Sequence, residues 1–231
     1  MLKDMNSDIR TIGGKIKNAY ERLKDKAITI SNRLYLWITR HSRYRAEVER
    51  SSIVYTPETA DVELADQLRR VLDEMAPESG IVNKLKQMSL EERFEFVEKE
   101  LLPKIAETMD VSYEQFCWVV EDQLCGYYNH KQKRIALNPV FLAQKDEKND
   151  EKLLTIFVNT IIHECKHARQ HAAINGKDYG YSERQIAIWK RNFKDYIRPK
   201  ESDHGYSKQP VEHDASMFAN SVIDENVVFE N

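Results

Sequence analysis

Apolar positions near the start of the chain recur at steps of three and four: Ile9, Ile12, Ile16, Tyr20, Leu23, Ala27, Ile30, Leu34 and Trp37. That spacing puts them all on one side of a helix, and Gly13-Gly14 weakens its first turns. A break at 51–59, with Pro57 inside it, follows. The pattern from Asp61 to Met75 predicts a helix, stopped by Ala76-Pro77-Glu78-Ser79-Gly80. Ser89 and Glu92 have the spacing of a capping box ahead of a helical run from Leu90 to Met109. Residues 112–123 read as another short helix. The period changes at Gly126. Tyr127-Tyr128 and the run 134–138 flank a polar turn at 129–133, which predicts two short strands in a hairpin, ended by Asn138-Pro139. After a charged loop at 144–152, helical patterns resume at 153–173, at 182–197 and from Pro210, with a polar loop at 199–207.

The chain has 231 residues, 41% hydrophobic and 32% charged, which is enough apolar material for a core. With only 7 Gly and 6 Pro, it lacks the turn residues an all-β fold needs. The expected class is α+β, predominantly helical, with one small antiparallel hairpin. Charge divides the chain. Residues 1–50 hold 12 Lys+Arg against 6 Asp+Glu, whereas the whole chain is at −3. We therefore expect a basic amphipathic helix over 1–50 and a main domain over 51–231.

Such a helix can meet a membrane surface, a nucleic acid or a partner protein, or pack on its own domain. An apolar stripe alone more often means packing. Residues 7–48 thus offer membrane or partner contact, but no clear nucleic-acid partner. Tyr20 and Tyr35 are the aromatics before Trp37, and no base-reading motif accompanies them. Cys117, Cys125 and Cys165 form no CxxC pair and no disulfide framework. The start, MLKDMNSDIR, has no apolar h-region, and no apolar run approaches the ~20 residues of a membrane span. The expected location is cytoplasmic by default, with export by a signal-less route left open.

The stretch 153–173 contains His163-Glu164-Cys165-Lys166-His167, an H-E-x-x-H motif. Positions four apart lie one above the other on a helix. Two imidazoles so placed can hold one Zn²⁺ ion through ring nitrogens. Glu164, on the flank of that face, can act as general base towards a metal-activated water. Leu154, Val158, Ile161, Cys165, Ala168 and Ala172 form an apolar stripe opposite the two histidines. His163 and His167 share their side with Thr160 and Gln170, as expected for a cleft wall.

A catalytic zinc needs a third protein ligand. His171 lies a further turn along the same helix and is poorly placed to share one ion. The better candidate is Glu212, on a helix that Pro210 would start. Glu212 shares a face with Ser216, Ala219 and Ile223, and small residues at 216 and 219 allow close approach to the histidine helix. Asp214 projects to the other side, so Glu212 is preferred as ligand and Asp214 as a supporting or structural carboxylate. Tyr206 is the candidate for a second oxyanion stabiliser, with Tyr179 and Tyr181 competing.

H-E-x-x-H followed by Glu212-His213-Asp214-Ala215-Ser216-Met217-Phe218-Ala219 resembles the zincin metallopeptidases of the ImmA/IrrE type and related phage- and mobile-element-associated zincins. The resemblance covers roughly residues 112–223. It extends to the hairpin, whose outer strand lines the substrate cleft in that family. It implies a zincin-like core, with His163, His167 and Glu212 as zinc ligands and Glu164 as catalytic base. Hydrolysis of a protein or peptide substrate follows from it. The chain departs from the family in its long 167–212 interval, in Ser216 and in lacking a helix-turn-helix segment, so cleavage of a transcriptional repressor is not expected. Two other functions fit the same residues: a delivered toxin or effector protease, and a catalytically silent binding module.

Overall fold

Leu64, Ala65, Leu68 and Leu72 keep helical spacing, and in the computed structural model they lie buried along helix α1, Thr59–Met75. The structure describes residues 57–121, 124–143, 150–194, 196, 199 and 203–223. The basic helix expected over residues 1–50 lies outside the described residues.

Helix α2, Gly80–Gln87, was not expected from the sequence. It is short and buries only Ile81 and Leu85, so its periodicity is too brief to stand out against the stop signal before it. Helix α3, Leu90–Phe96, starts at the expected capping box. Ser89 Oγ accepts from the Glu92 N–H, and Glu92 Oε2 accepts from the Ser89 N–H at 2.7 Å. The helical run continues through a π turn, Val97–Leu101, into α4, Leu102–Thr108. Pro103, which has no N–H to donate, sits just beyond that wide turn.

The helix expected over 112–123 is not formed. Its place is taken by strand β1, Gln115–Trp118, where Phe116, Cys117 and Trp118 favour extended backbone. Strands β2, Gly126–Asn129, and β3, Arg134–Leu137, form the expected antiparallel hairpin, with Tyr128 opposite Ile135. β1 pairs parallel to β3 on its other side, with Phe116 opposite Ile135, so the sheet order is β1-β3-β2. The central strand buries Ile135, Ala136 and Leu137, and β2 is an edge.

Gly126 lets β2 lie close to its neighbours. A Cβ there would sit 2.8 Å from the Ala136 carbonyl oxygen and 2.9 Å from Thr160 Cγ2. Asn138 Oδ1 then accepts from the Val140 N–H and opens the short helix α5, Val140–Ala143.

Helix α6, Asp150–Ile174, is the axis of the fold. Arg93 anchors its start from α3. The buried guanidinium pairs with Asp150 at 3.0 Å and donates to the Leu85 and Leu142 carbonyls. Asp150 lies in the first turn of α6, where the helix dipole favours a negative charge. Helix α7, Glu183–Lys194, begins with Ser182 Oγ accepting from the Gln185 N–H. The polar loop expected at 199–207 includes a short helix instead, α8, Asp203–Lys208. Helix α9, Pro210–Ile223, packs against α6 and α1. Arg69 of α1 donates twice to the Ser221 carbonyl near the end of α9.

The fold is thus α+β and mostly helical, with a small mixed sheet of three strands rather than a lone hairpin. No helix among the described residues is long and apolar enough to cross a membrane.

Candidate metal centre

The 163–167 turn lies in the second half of α6, where the helix is buried nearly all round. Leu154, Val158, Ile161, Cys165 and Ala168 are buried, as their stripe requires. Thr160, His167 and Gln170, on the opposite side, are buried too: β2 comes close to Thr160 at Gly126, and α9 packs on α6 around Gln170.

Glu212 is delivered to this turn by the start of α9. Pro210 opens that helix, and the Gln209 carbonyl accepts from the Glu212 N–H at 3.1 Å. Asn192 of α7 fixes the same turn through both ends of its amide. Its Oδ1 accepts from the Val211 N–H at 2.9 Å, and its Nδ2 donates to Gln209 Oε1. Helix α7 lies in the long interval between the two motifs and thereby sets where the second motif begins.

The three side chains meet at their donor atoms. His163 Nε2 and His167 Nε2 are 3.0 Å apart. Glu212 Oε2 lies 3.2 Å from His163 Nε2, and Glu212 Oε1 lies 3.2 Å from His167 Nε2. Among the described residues this is the group of His, Cys, Asp and Glu side chains close enough to hold a metal ion. The edge of a tetrahedron with zinc–ligand bonds of ~2.0–2.1 Å measures about 3.3 Å. The two imidazole nitrogens stand close to that edge and each faces one Glu212 oxygen; taken one donor atom per residue, the three lie within 4.8 Å of one another, a set that one zinc ion could draw together. His163 keeps 15% of its side chain exposed, against 9% for His167 and 4% for Glu212, so of the three it is the one most open to solvent.

Neighbouring groups orient the ligands. His167 Nδ1 lies 2.9 Å from Gln170 Oε1, which can only accept, so Nδ1 carries a hydrogen. His163 Nδ1 faces Ser216 Oγ at 3.4 Å. The Tyr196 hydroxyl donates to Glu212 Oε1 at 2.6 Å.

Charge follows the same arrangement. Burial opposes ionisation of Glu212, but the two imidazoles hold its carboxyl well below the usual range. Burial likewise opposes the charged form of His167, and the Glu212 carboxylate overrides it, taking the imidazole up to about 9. Glu164 is buried, and that burial raises its pKa; the histidines and the Tyr128 N–H, which bonds its carboxyl, pull the other way. The general-base candidate thus lies between the histidine turn and edge strand β2.

The remaining candidates fall elsewhere. Asp214 is buried away from the donor group, accepting from Gln170 Nε2 at 2.6 Å. His171 stacks between His130, at a centroid distance of 4.5 Å, and Phe193, at 3.9 Å. Burial and then His130 lower the His171 pKa to about 3. Tyr206 does lie beside Glu212. Tyr179 instead packs under the Arg169 guanidinium and donates to the Asp110 carbonyl, while Tyr181 is buried in the interior.

Sequence reasoning missed Tyr196, for which no spacing gives a signal. It also missed Lys166, an H-E-x-x-H interior residue that is fully buried. Compared with protein-family models, curated proteins and solved structures, the chain matches none.

Proposed function

We propose that the protein is a zinc-dependent metallopeptidase of the zincin type, in which His163, His167 and Glu212 hold the metal and Glu164 is the general base. One observation carries this reading: two imidazoles and a carboxylate from two helices bring one donor atom each within 4.8 Å of one another, with the buried Glu164 carboxyl beside them. Zinc at such a site is a Lewis acid that polarises a scissile carbonyl and brings the pKa of water towards ~7.

The chain's own groups supply the rest. Burial raises the Glu164 carboxyl towards the working range of a general base. Glu164 takes a proton from the attacking water and returns it to the leaving amine. The Tyr196 and Tyr206 phenols are both raised, first by burial and then by Glu212, so they stay protonated beside that carboxylate; either would have to turn its hydroxyl away from Glu212 to serve a developing oxyanion. Among the described residues, edge strand β2 pairs with a strand on one side alone; its other side, beside Glu164, suits an extended peptide substrate.

The test is hydrolysis of a diverse peptide pool by zinc-loaded protein. Wild type should cleave. Glu164→Gln should retain zinc and lose cleavage by ~10²-fold or more. Cleavage surviving in Glu164→Gln removes that residue as the base. Zinc-loaded wild type that binds peptides without cleaving them would be a silent binding module.

A further inference from the structure

Lys166 lies inside the H-E-x-x-H turn yet points into the protein, where its side chain is 0% exposed. Its Nζ donates to Asp61 Oδ1 at 2.5 Å and to the Tyr181 hydroxyl at 3.0 Å, and lies 3.5 Å from Asp214 Oδ2. The rings of Tyr181, Trp189 and Phe218 lie about it at 4.7–5.2 Å, so aromatic faces enclose the charge. Asp61 comes from the first turn of α1, and the Tyr181 hydroxyl also donates to Asp61 Oδ1 at 2.7 Å.

These contacts lead to a metal ligand. Gln170 Nε2 gives its two hydrogens to the Val211 carbonyl at 3.1 Å and to Asp214 Oδ2 at 2.6 Å. Both partners are pure acceptors, so the amide cannot flip. Gln170 Oε1 is left facing His167 Nδ1, which leaves His167 Nε2 on the side of His163 and Glu212, where it would serve as a metal ligand. The arrangement depends on Asp214 Oδ2 being free to serve Gln170. With Asp61 in place, Lys166 is closer to Asp61 than to Asp214. Without that charge, a buried ammonium has one carboxylate left, moves onto Asp214 and competes for the same oxygen.

We propose that Asp61, Lys166, Asp214 and Gln170 form a buried relay through which the seating of the first turn of α1 sets the zinc affinity of the His163–His167–Glu212 centre. The relay rests on the metal-centre reading above. Asp61 is its positioning residue, remote from any substrate. Coupling of this kind is reciprocal: zinc binding must tighten the first turn of α1 by the amount that seating tightens zinc.

The experiment measures zinc affinity of the full chain by competition with a chromophoric chelator. Asp61→Asn keeps shape and removes charge; Asp66→Asn, on the exposed side of the same helix, is the control. Expected is zinc binding about tenfold weaker for Asp61→Asn and unchanged for Asp66→Asn. Hydrogen exchange of wild type gives the reciprocal readout and needs no variant. Zinc should slow exchange of the amides at 61–65. A folded Asp61→Asn with wild-type zinc affinity overturns the relay, as does exchange at 61–65 that ignores zinc. Wild type that takes up no zinc overturns the metal centre itself, and the relay with it.

Discussion

His163 and His167 face each other through their Nε2 atoms at 3.0 Å, and each of these nitrogens also lies 3.2 Å from an oxygen of Glu212. Gln170 already commits the hydrogen of His167 to Nδ1. Nε2 of His167 therefore either carries a second proton or presents its lone pair. In the first case the imidazolium is the counter-ion of Glu212. In the second, a cation between the three side chains would take over that role, so protons and metal compete for one place.

That competition has a sign. The His167 pKa is raised to about 9 in the folded, metal-free chain, against 6.5 ordinarily. Between those values the folded state holds a proton that the unfolded state lacks. The stabilisation is fully present below pH ~6.5 and is lost as pH rises through ~9. Chelator-treated protein should thus lose on the order of 3 kcal/mol between pH 6.5 and 9.5, read from urea unfolding. Zinc-loaded protein should lack this decline, and zinc uptake at pH 7.5 should release close to one proton, read by calorimetry in buffers of different ionisation enthalpy.

Lys166 should be far more costly to remove than any surface lysine. Lys166→Met leaves Asp61 and Asp214 buried without their cation, a loss of about 3–5 kcal/mol. Lys104, paired with Glu107 in solvent, provides the comparison: Lys104→Met should leave the urea midpoint unchanged. Equal midpoints for the two variants would show that the buried pairs contribute nothing.

Gly126 is a packing requirement. An alanine Cβ would press on the Ala136 carbonyl and on Thr160 at under 3 Å, forcing β2 away from β3 and α6. Gly126→Ala should cost about 1–3 kcal/mol in thermal unfolding. Because β2 gives its Tyr128 N–H to Glu164, the variant should also lose the proposed peptidase activity beyond its loss of stability. A variant as stable and active as wild type would show that β2 is free to move.

What could be read in advance follows from how local each signal is. Ser89 and Glu92, three residues apart, make the capping box their spacing announces. Pro210 starts α9, and with that start fixed the helical period alone separates Glu212 from Asp214. Strand β1 was unreadable because its pairing partner, β3, is 19 residues away, and tertiary pairing overrides a weak local helical pattern. The relay was invisible for a related reason. Lys166 and Asp61 are 105 positions apart, and a buried lysine looks in sequence like any solvated one. The all-round burial of α6 was also missed, since polar residues on its histidine side find partners in the protein: Gln170 on α9, Thr160 on the Ile156 carbonyl.

Metal content of the purified full chain tests the centre most directly, measured by atomic emission after gel filtration for wild type, Glu212→Ala and Asp214→Asn. About one zinc per chain in wild type, none in Glu212→Ala and a measurable share in Asp214→Asn is the expected result. Zinc-free wild type, or Glu212→Ala carrying as much zinc as wild type, would contradict a site built from His163, His167 and Glu212.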